Sequence, residues 1–402
     1  MARPSYEVAD IVRSLGPGLR VGKSRNQHRV LNAIEACRTA KLGGHITRCG
    51  DCGVLDASYN SCRNRHCPKC QASTAYRWLE ARQRDLLPVS YYHVVFTLPA
   101  AIADIAFTNK RAVYGALFKA ISQTLLTIGA DPKHLGAKLG ATLVLHTWGS
   151  AMTHHPHIHG IVPGGGLSPD GTRWVDCRAN FFLPVRVLSR LFRRLMCERL
   201  AKLHADDALK FFGHNQHLAD PGVFARLLQR ERRRDWVVYA KRPFAGPDQV
   251  LAYLARYTHR IAISNSRITA FDGSRVTFKV KNYRKQGKDR YGTMTLDASE
   301  FMRRFLIHVL PGRFHRIRHI GFLANTNRAK AVDNIRALLA DRMPCQQKPD
   351  DESKTEIEDT SPSGPAPCAH CGGKTILMEI IPRPTRLRPQ ANAPPRKAEG
   401  RP

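Results

Sequence analysis

The chain has 402 residues, room for two or three domains and at least one full-sized core, and sets 64 Lys and Arg against 32 Asp and Glu, a formal charge of +32. A surplus that large calls for a polyanionic partner. No apolar run approaches the ~20 residues of a membrane span, which turns that partner away from lipid and toward nucleic acid. The first residues, Met1-Ala2-Arg3-Pro4-Ser5-Tyr6-Glu7, lack the apolar core of a secretory signal. The chain is therefore expected in a reducing cytoplasm, where its 11 cysteines are ligand candidates rather than disulfides.

Residues 1–36 read as a helical lead-in, with Val8, Ile11, Val12 and Leu15 at helical spacing and Val30, Leu31 and Ile34 on a second helix. A cysteine cluster opens the next stretch, 37–88, which reads as a small zinc-binding, DNA-binding domain. Cys49-x2-Cys52 and Cys67-x2-Cys70 are two knuckles, each able to present two thiolates to a tetrahedral ion. Chance gives about 0.3 such pairs in a chain of this composition, and three are present when Cys368 and Cys371 are counted. Cys37, His45, Cys62 and His66 either complete a second zinc site or stand by. Arg63, Arg65 and Lys69 beside the knuckles are candidate DNA contacts. An amphipathic helix over 75–87 closes the domain at Pro88.

Residues 89–342 read as one α+β domain. The run Tyr91-Tyr92-His93-Val94-Val95-Phe96-Thr97 is a β-branched and aromatic strand, followed by helical spacing from Ala100 to Ile128. Thr142 to Trp148 and the stretch from His154 then form a hairpin, in which His157 and His159 flank one apolar residue. On a strand both imidazoles leave the same face, roughly 6.5 to 7 Å apart at Cα, a spacing that suits one metal ion. Eighteen histidines give about 0.8 such spacings by chance, so the pair needs company. A hard ion also wants a third protein ligand, for which His146, His154 and His155 are candidates. Gly164-Gly165-Gly166 lets the backbone leave the strand, and without a following Lys-Ser/Thr it is a weak phosphate loop.

A basic amphipathic helix spans Val185 to Leu203, and Arg232, Arg233 and Arg234, further DNA-contact candidates, lead into a strand over 236–240. Pro247 and Asp248 suit the first turn of a helix that carries Tyr253 and Tyr257 one turn apart on one face, a pair expected about 0.3 times by chance. A basic meander follows over 267–271, 275–280 and 291–296, then a helix over 298–310 and a basic, aromatic stretch over 314–322. The tail, 343–402, is acidic and then proline- and arginine-rich and reads as mostly disordered, with a possible partial zinc knuckle at 368–371.

The His157-Ile158-His159 element, the tyrosine pair and the N-terminal Cys/His cluster together resemble the HUH-type, two-tyrosine transposases of rolling-circle insertion sequences, over about residues 37 to 339. The resemblance implies a central antiparallel sheet of the HUH endonuclease (RRM/ferredoxin-like) kind with helices on its faces, preceded by the zinc domain. It also implies nicking of single-stranded DNA at element ends by Tyr253 and Tyr257, through 5′-phosphotyrosine intermediates. Magnesium or manganese on His157 and His159 would assist, structural zinc would sit in the N-terminal domain, and the protein would be bacterial and nucleoid-associated. Two other readings stay open on the residues alone. One is a non-catalytic, zinc-dependent DNA-binding protein whose tyrosines stack on bases, and the other is a metal-dependent nuclease that activates water.

Overall fold

The computed structural model describes residues 5–178, 180–244, 261–282, 285–324, 326, 328–340 and 367–384. In chain order it begins with α1 (Val8–Leu15), α2 (Arg25–Ala36), β1 (Gly44–Cys49), β2 (Leu55–Tyr59) and α3 (Gln71–Gln83). There follow β3 (Tyr91–Thr97), α4 (Ala100–Thr108), α5 (Lys110–Ala130), β4 (Gly140–Trp148), β5 (His154–Pro163), β6 (Gly165–Leu167) and β7 (Trp174–Asp176). Next come α6 (Val185–Ala205), α7 (Pro221–Arg233), β8 (Val238–Phe244), β9 (Ile268–Phe271), β10 (Arg275–Lys281) and β11 (Tyr291–Asp297). The helix Ala298–Leu306, β12 (Ile317–Gly321), the helix Arg328–Ala340 and β13 (Thr375–Ile381) complete the described chain.

These elements form two compact units, neither of which follows chain order. Among the described residues the smaller joins 36–62 to 367–384, and the larger joins 5–35 to 63–340. The stretch expected as one zinc domain is thus divided, with β1 and β2 in the smaller unit and Cys67, Cys70 and α3 in the larger. In the smaller unit β13 pairs antiparallel with β1, which also pairs with β2. The C-terminal stretch read as a mostly disordered tail therefore contributes an edge strand; the rest of that stretch lies outside the described residues.

The larger unit is α+β, built on a five-stranded antiparallel sheet of order β12-β4-β5-β3-β8. Strand alternation divides the work of its two faces. Tyr92, Val94 and Phe96 of β3, Leu143 and Leu145 of β4, and Ile158 and Val162 of β5 all enter the main core against α4, α5, α6 and α7. Phe96 meets Phe192 of α6 edge to face, with centroids 5.2 Å apart. Truncating either buried ring to alanine would cost about 3–5 kcal/mol. At one end of the opposite face Tyr91 and Ile161 pack with Trp78 and Leu86, so helices reach both faces as expected.

The basic meander is a separate three-stranded sheet, β11-β10-β9, and the basic, aromatic stretch 314–322 supplies β12 on the edge of the central sheet. The glycine run behaves differently from its sequence reading. Gly165 and Gly166 lie in β6, paired with β7, and a Cβ on Gly165 would come within 2.6 Å of the Trp174 indole and 2.5 Å of the Val175 carbonyl. Close packing under a buried tryptophan, and not an exit loop, accounts for the lack of side chains there.

Candidate metal centre and nucleic-acid site

The site is built on β5. Because Ile158 and Val162 face the helices, His157, His159 and Ile161 take the opposite face. Register adds the third imidazole: His157 lies opposite His146 on β4, while His159 lies between Val144 and Val95. One ring nitrogen from each of His146, His157 and His159 falls within 4.8 Å of the others. A single ion bonded at about 2.1 Å to nitrogen fits among three such atoms. His154, also weighed as a ligand, is held elsewhere, its Nε2 2.8 Å from the Tyr114 hydroxyl.

The second contacts of these rings decide which nitrogen of each could offer a lone pair to an ion. His157 Nδ1 is 2.7 Å from the His155 carbonyl and must donate to it, which leaves the Nε2 lone pair as the one that could accept a metal. His159 Nδ1 lies 2.7 Å from Nε2 of His93, a buried contact between rings stacked 5.0 Å apart. Burial pushes His93 down to about 3, with Lys241 and His157 adding to the effect, and burial pushes His157 down to about 4. Both imidazoles are neutral near pH 7, which is the form that offers a lone pair to a metal.

His93 escaped the sequence reading because its partner, His159, lies on another strand. The alternation of its own strand did carry a signal: His93 shares a strand face with Tyr91 and Val95, opposite the apolar Tyr92, Val94 and Phe96. The same face receives Tyr239, opposite Val95, and Lys241, opposite His93, from the edge strand β8.

The thiols are arranged differently from the sequence expectation. Cys49 Sγ lies 3.5 Å from Cys371 Sγ, Cys52 Sγ lies 3.7 Å from Cys368 Sγ, and all four sulfurs fall within 4.8 Å of one another. The partners of the Cys49–Cys52 knuckle are therefore Cys368 and Cys371 rather than Cys67 and Cys70. Of the remaining candidates, Cys62 directs its backbone N–H to Cys37 Sγ at 3.5 Å, and Cys67 and Cys70 are buried at the start of α3. His45 sits in β1 opposite Ser58 and Ile380, and His66 Nε2 accepts from the Leu310 N–H at 3.5 Å.

Comparison with known proteins now bears on this geometry. A family model described as a putative transposase matches residues 140–330, the span that holds β4, β5 and their histidines, and a transposase zinc-binding domain model matches residues 17–98. The chain is 50% identical over 387 residues to a protein of Sinorhizobium fredii named putative transposase y4qJ, covering 95% of this chain and 97% of the relative. It is also 28% identical over 294 residues to the transposase for insertion sequence element IS801 of Pseudomonas savastanoi pv. phaseolicola, covering 72% of this chain and 68% of that one. The chain belongs to the IS91 family of insertion-sequence transposases.

In this transposase Tyr253 and Tyr257 lie outside the described residues. Its expected DNA contacts separate into two groups. Arg63, Arg232 and Arg233 are exposed and available to phosphate. Arg65 instead donates to the backbone carbonyls of Pro311, at 2.9 Å, and Phe314, and Lys69 pairs with Glu7 at 2.6 Å. Arg234 stands 3.6 Å from the buried Glu231 carboxylate. Arg65 and Lys69 thus make contacts within the fold, a role that sequence position cannot distinguish from DNA contact, while Arg234 keeps an exposed side chain. Among the described residues no helix is long and apolar enough to cross a membrane.

Proposed function

We propose that this transposase nicks single-stranded DNA at the ends of its element by tyrosine attack and rejoins the strands for rolling-circle transposition, acting in the bacterial cytoplasm at the nucleoid. The observation that carries the reading is the cluster of His146, His157 and His159 on one face of an antiparallel sheet, opposite the face that packs against α4 to α7, in a chain of this family. His146, His157 and His159 would hold magnesium or manganese, His93 would orient His159, and zinc would be structural.

The chemical problem is that a phosphodiester repels nucleophiles with its own anionic oxygens. A divalent ion bound to the triad supplies Lewis-acid polarisation of such an oxygen. The phenolic oxygen of Tyr253 or Tyr257 forms a bond to phosphorus as the bond to the 3′ oxygen breaks. The phenolic proton is lost to solvent and the departing 3′ oxygen gains one, leaving a 5′-phosphotyrosine and a 3′-hydroxyl. The covalent ester conserves the cleaved bond, so attack by another 3′-hydroxyl rejoins DNA without ATP. Two tyrosines let one hold a cut end while the other makes the next cut. Lys241, exposed on the histidine-bearing face, and Arg63, Arg232 and Arg233 are suited to the phosphate backbone.

The test is incubation with single-stranded element-end DNA and manganese, followed by a denaturing gel. A protein–DNA adduct is expected from the wild-type chain and none from the Tyr253→Phe/Tyr257→Phe variant, whose DNA binding should persist because only two phenolic oxygens are removed. Cleavage by the double variant would assign the nucleophile to water. Binding without cleavage by the wild-type chain would assign a non-catalytic DNA-binding role.

A further inference from the structure

We propose that Cys49, Cys52, Cys368 and Cys371 form one tetrathiolate zinc site, so that the zinc unit is closed by a C-terminal clasp far outside the matched zinc-binding domain. The inference rests on the zinc-binding reading of the family match, which covers residues 17–98 and supplies only two of these four ligands.

Three observations carry it. The first is spacing: sulfur separations of 3.5 and 3.7 Å are too long for a disulfide near 2.05 Å. They sit close to the ~3.8 Å that follows from four zinc–sulfur bonds of about 2.3 Å at tetrahedral angles.

The second is that the two Cys-x2-Cys segments are the same turn built twice. In the first, the Cys49 N–H donates to the Val54 carbonyl at 2.9 Å and the Gly53 N–H to the Cys49 carbonyl at 3.1 Å. In the second, the Cys368 N–H donates to the Gly373 carbonyl at 2.9 Å and the Gly372 N–H to the Cys368 carbonyl at 2.8 Å. Each turn is closed by a glycine with positive φ, +72° at Gly53 and +78° at Gly372, a conformation that a side chain opposes. The His370 N–H also points at Cys368 Sγ from 3.4 Å. Two matching knuckles whose thiols converge make a closed four-ligand site of the structural kind.

The third is that the backbone brings the segments together independently of the thiols. β13 pairs with β1 from Gly44↔Ile381 to Cys49↔Thr375, and the Gly50 N–H donates to the Lys374 carbonyl at 2.9 Å. The approach is close enough that a Cβ on Gly43 would stand 2.6 Å from the Ile381 carbonyl, and one on Gly373 would stand 2.1 Å from the Asp51 carboxylate. The clasp therefore joins residues 322 positions apart in sequence. Because a small metal domain draws its folding free energy from the ion, losing either knuckle should release the metal and loosen the β13-β1-β2 sheet.

Zinc content of the full chain, purified with reductant, tests the proposal against the Cys368→Ser/Cys371→Ser variant. The variant is expected to hold one zinc ion fewer per chain, and its cobalt-substituted form to lose the intense thiolate-to-metal absorption of one tetrathiolate site. Unchanged zinc content in the variant would overturn the clasp while leaving the zinc reading intact, whereas a wild-type chain without zinc would overturn both. A second measurement needs no variant: alkylation of the wild-type chain, mapped by mass spectrometry, should show Cys368 and Cys371 protected by zinc and released by a chelator. Equal labelling with and without zinc would refute the site.

Discussion

Replacing His93 by phenylalanine removes one contact of the triad while keeping ring volume on a buried strand. His93 does not reach the ion in the proposed arrangement; it holds His159 through the 2.7 Å contact between Nε2 and Nδ1. Loss of an outer partner of a metal-bound imidazole costs about 10–100-fold in affinity, or about 1.4–2.7 kcal/mol. His93 is 3% exposed and already held neutral by burial, so phenylalanine brings no new charge or void of consequence, and the fold should persist. Manganese titration followed by electron paramagnetic resonance of free ion should show that weakening, with the same shift in the manganese needed for half-maximal adduct formation. His93→Gln, which keeps an amide able to meet Nδ1, should recover part of it. An affinity unchanged in His93→Phe would show that His159 is oriented without His93, and the outer-contact argument would fail.

Two further outcomes follow from burial. Gly165→Ala should destabilise the larger unit by about 1–3 kcal/mol, since the new Cβ must displace the Trp174 indole or the Val175 carbonyl; denaturant unfolding with an unchanged midpoint would contradict this. His308 is buried between the Thr147 hydroxyl and the Met152 carbonyl, each 3.0 Å away, and burial pushes it down to about 3. Its folded value lies below the unfolded one near 6.5, so the unfolded chain binds a proton that the folded chain refuses, and stability is lost as pH falls from about 6.5 toward 3. His308→Gln should therefore reduce the drop in unfolding free energy between pH 7 and 5.5 by about 1.3 kcal/mol, and an identical drop in both proteins would refute the assignment.

What could be read beforehand was whatever local periodicity encodes. Tyr91 to Thr97 and Thr142 to Trp148 are dense in β-branched and aromatic residues, and each forms a strand of the central sheet. The histidine pair also followed from a period of two. Strand register did not: His146 joins His157 only because β4 and β5 align those two residues, and His93 meets His159 across β3 and β5. The pairing of the zinc knuckles was hidden for a related reason. Pairing by proximity in sequence favoured Cys67 and Cys70 as partners of Cys49 and Cys52, whereas glycine follows the second cysteine in Cys49-x2-Cys52-Gly53 and Cys368-x2-Cys371-Gly372, and glutamine follows it in Cys67-x2-Cys70-Gln71. That residue closes the turn with positive φ, so it, and not sequence distance, marks the two knuckles that share a geometry.

The central sheet also explains why the chemistry gathers on one surface. Four helices cover the face that carries Val94, Leu143, Leu145 and Ile158, and the large apolar area buried there fixes the register of every strand. With that face committed to packing, alternate residues of β3, β4, β5 and β8 are turned to the opposite face whether or not they are apolar. His93, His146, His157, His159 and Lys241 all occupy such positions. A one-residue slip of β5 would carry His157 and His159 in among the apolar core side chains and Ile158 out of them, at the cost of two imidazoles without polar partners and a lost apolar contact. The hydrophobic core thus enforces the alignment of the imidazoles, and the proposed ligand set, spread over two strands, needs no dedicated loop to hold it.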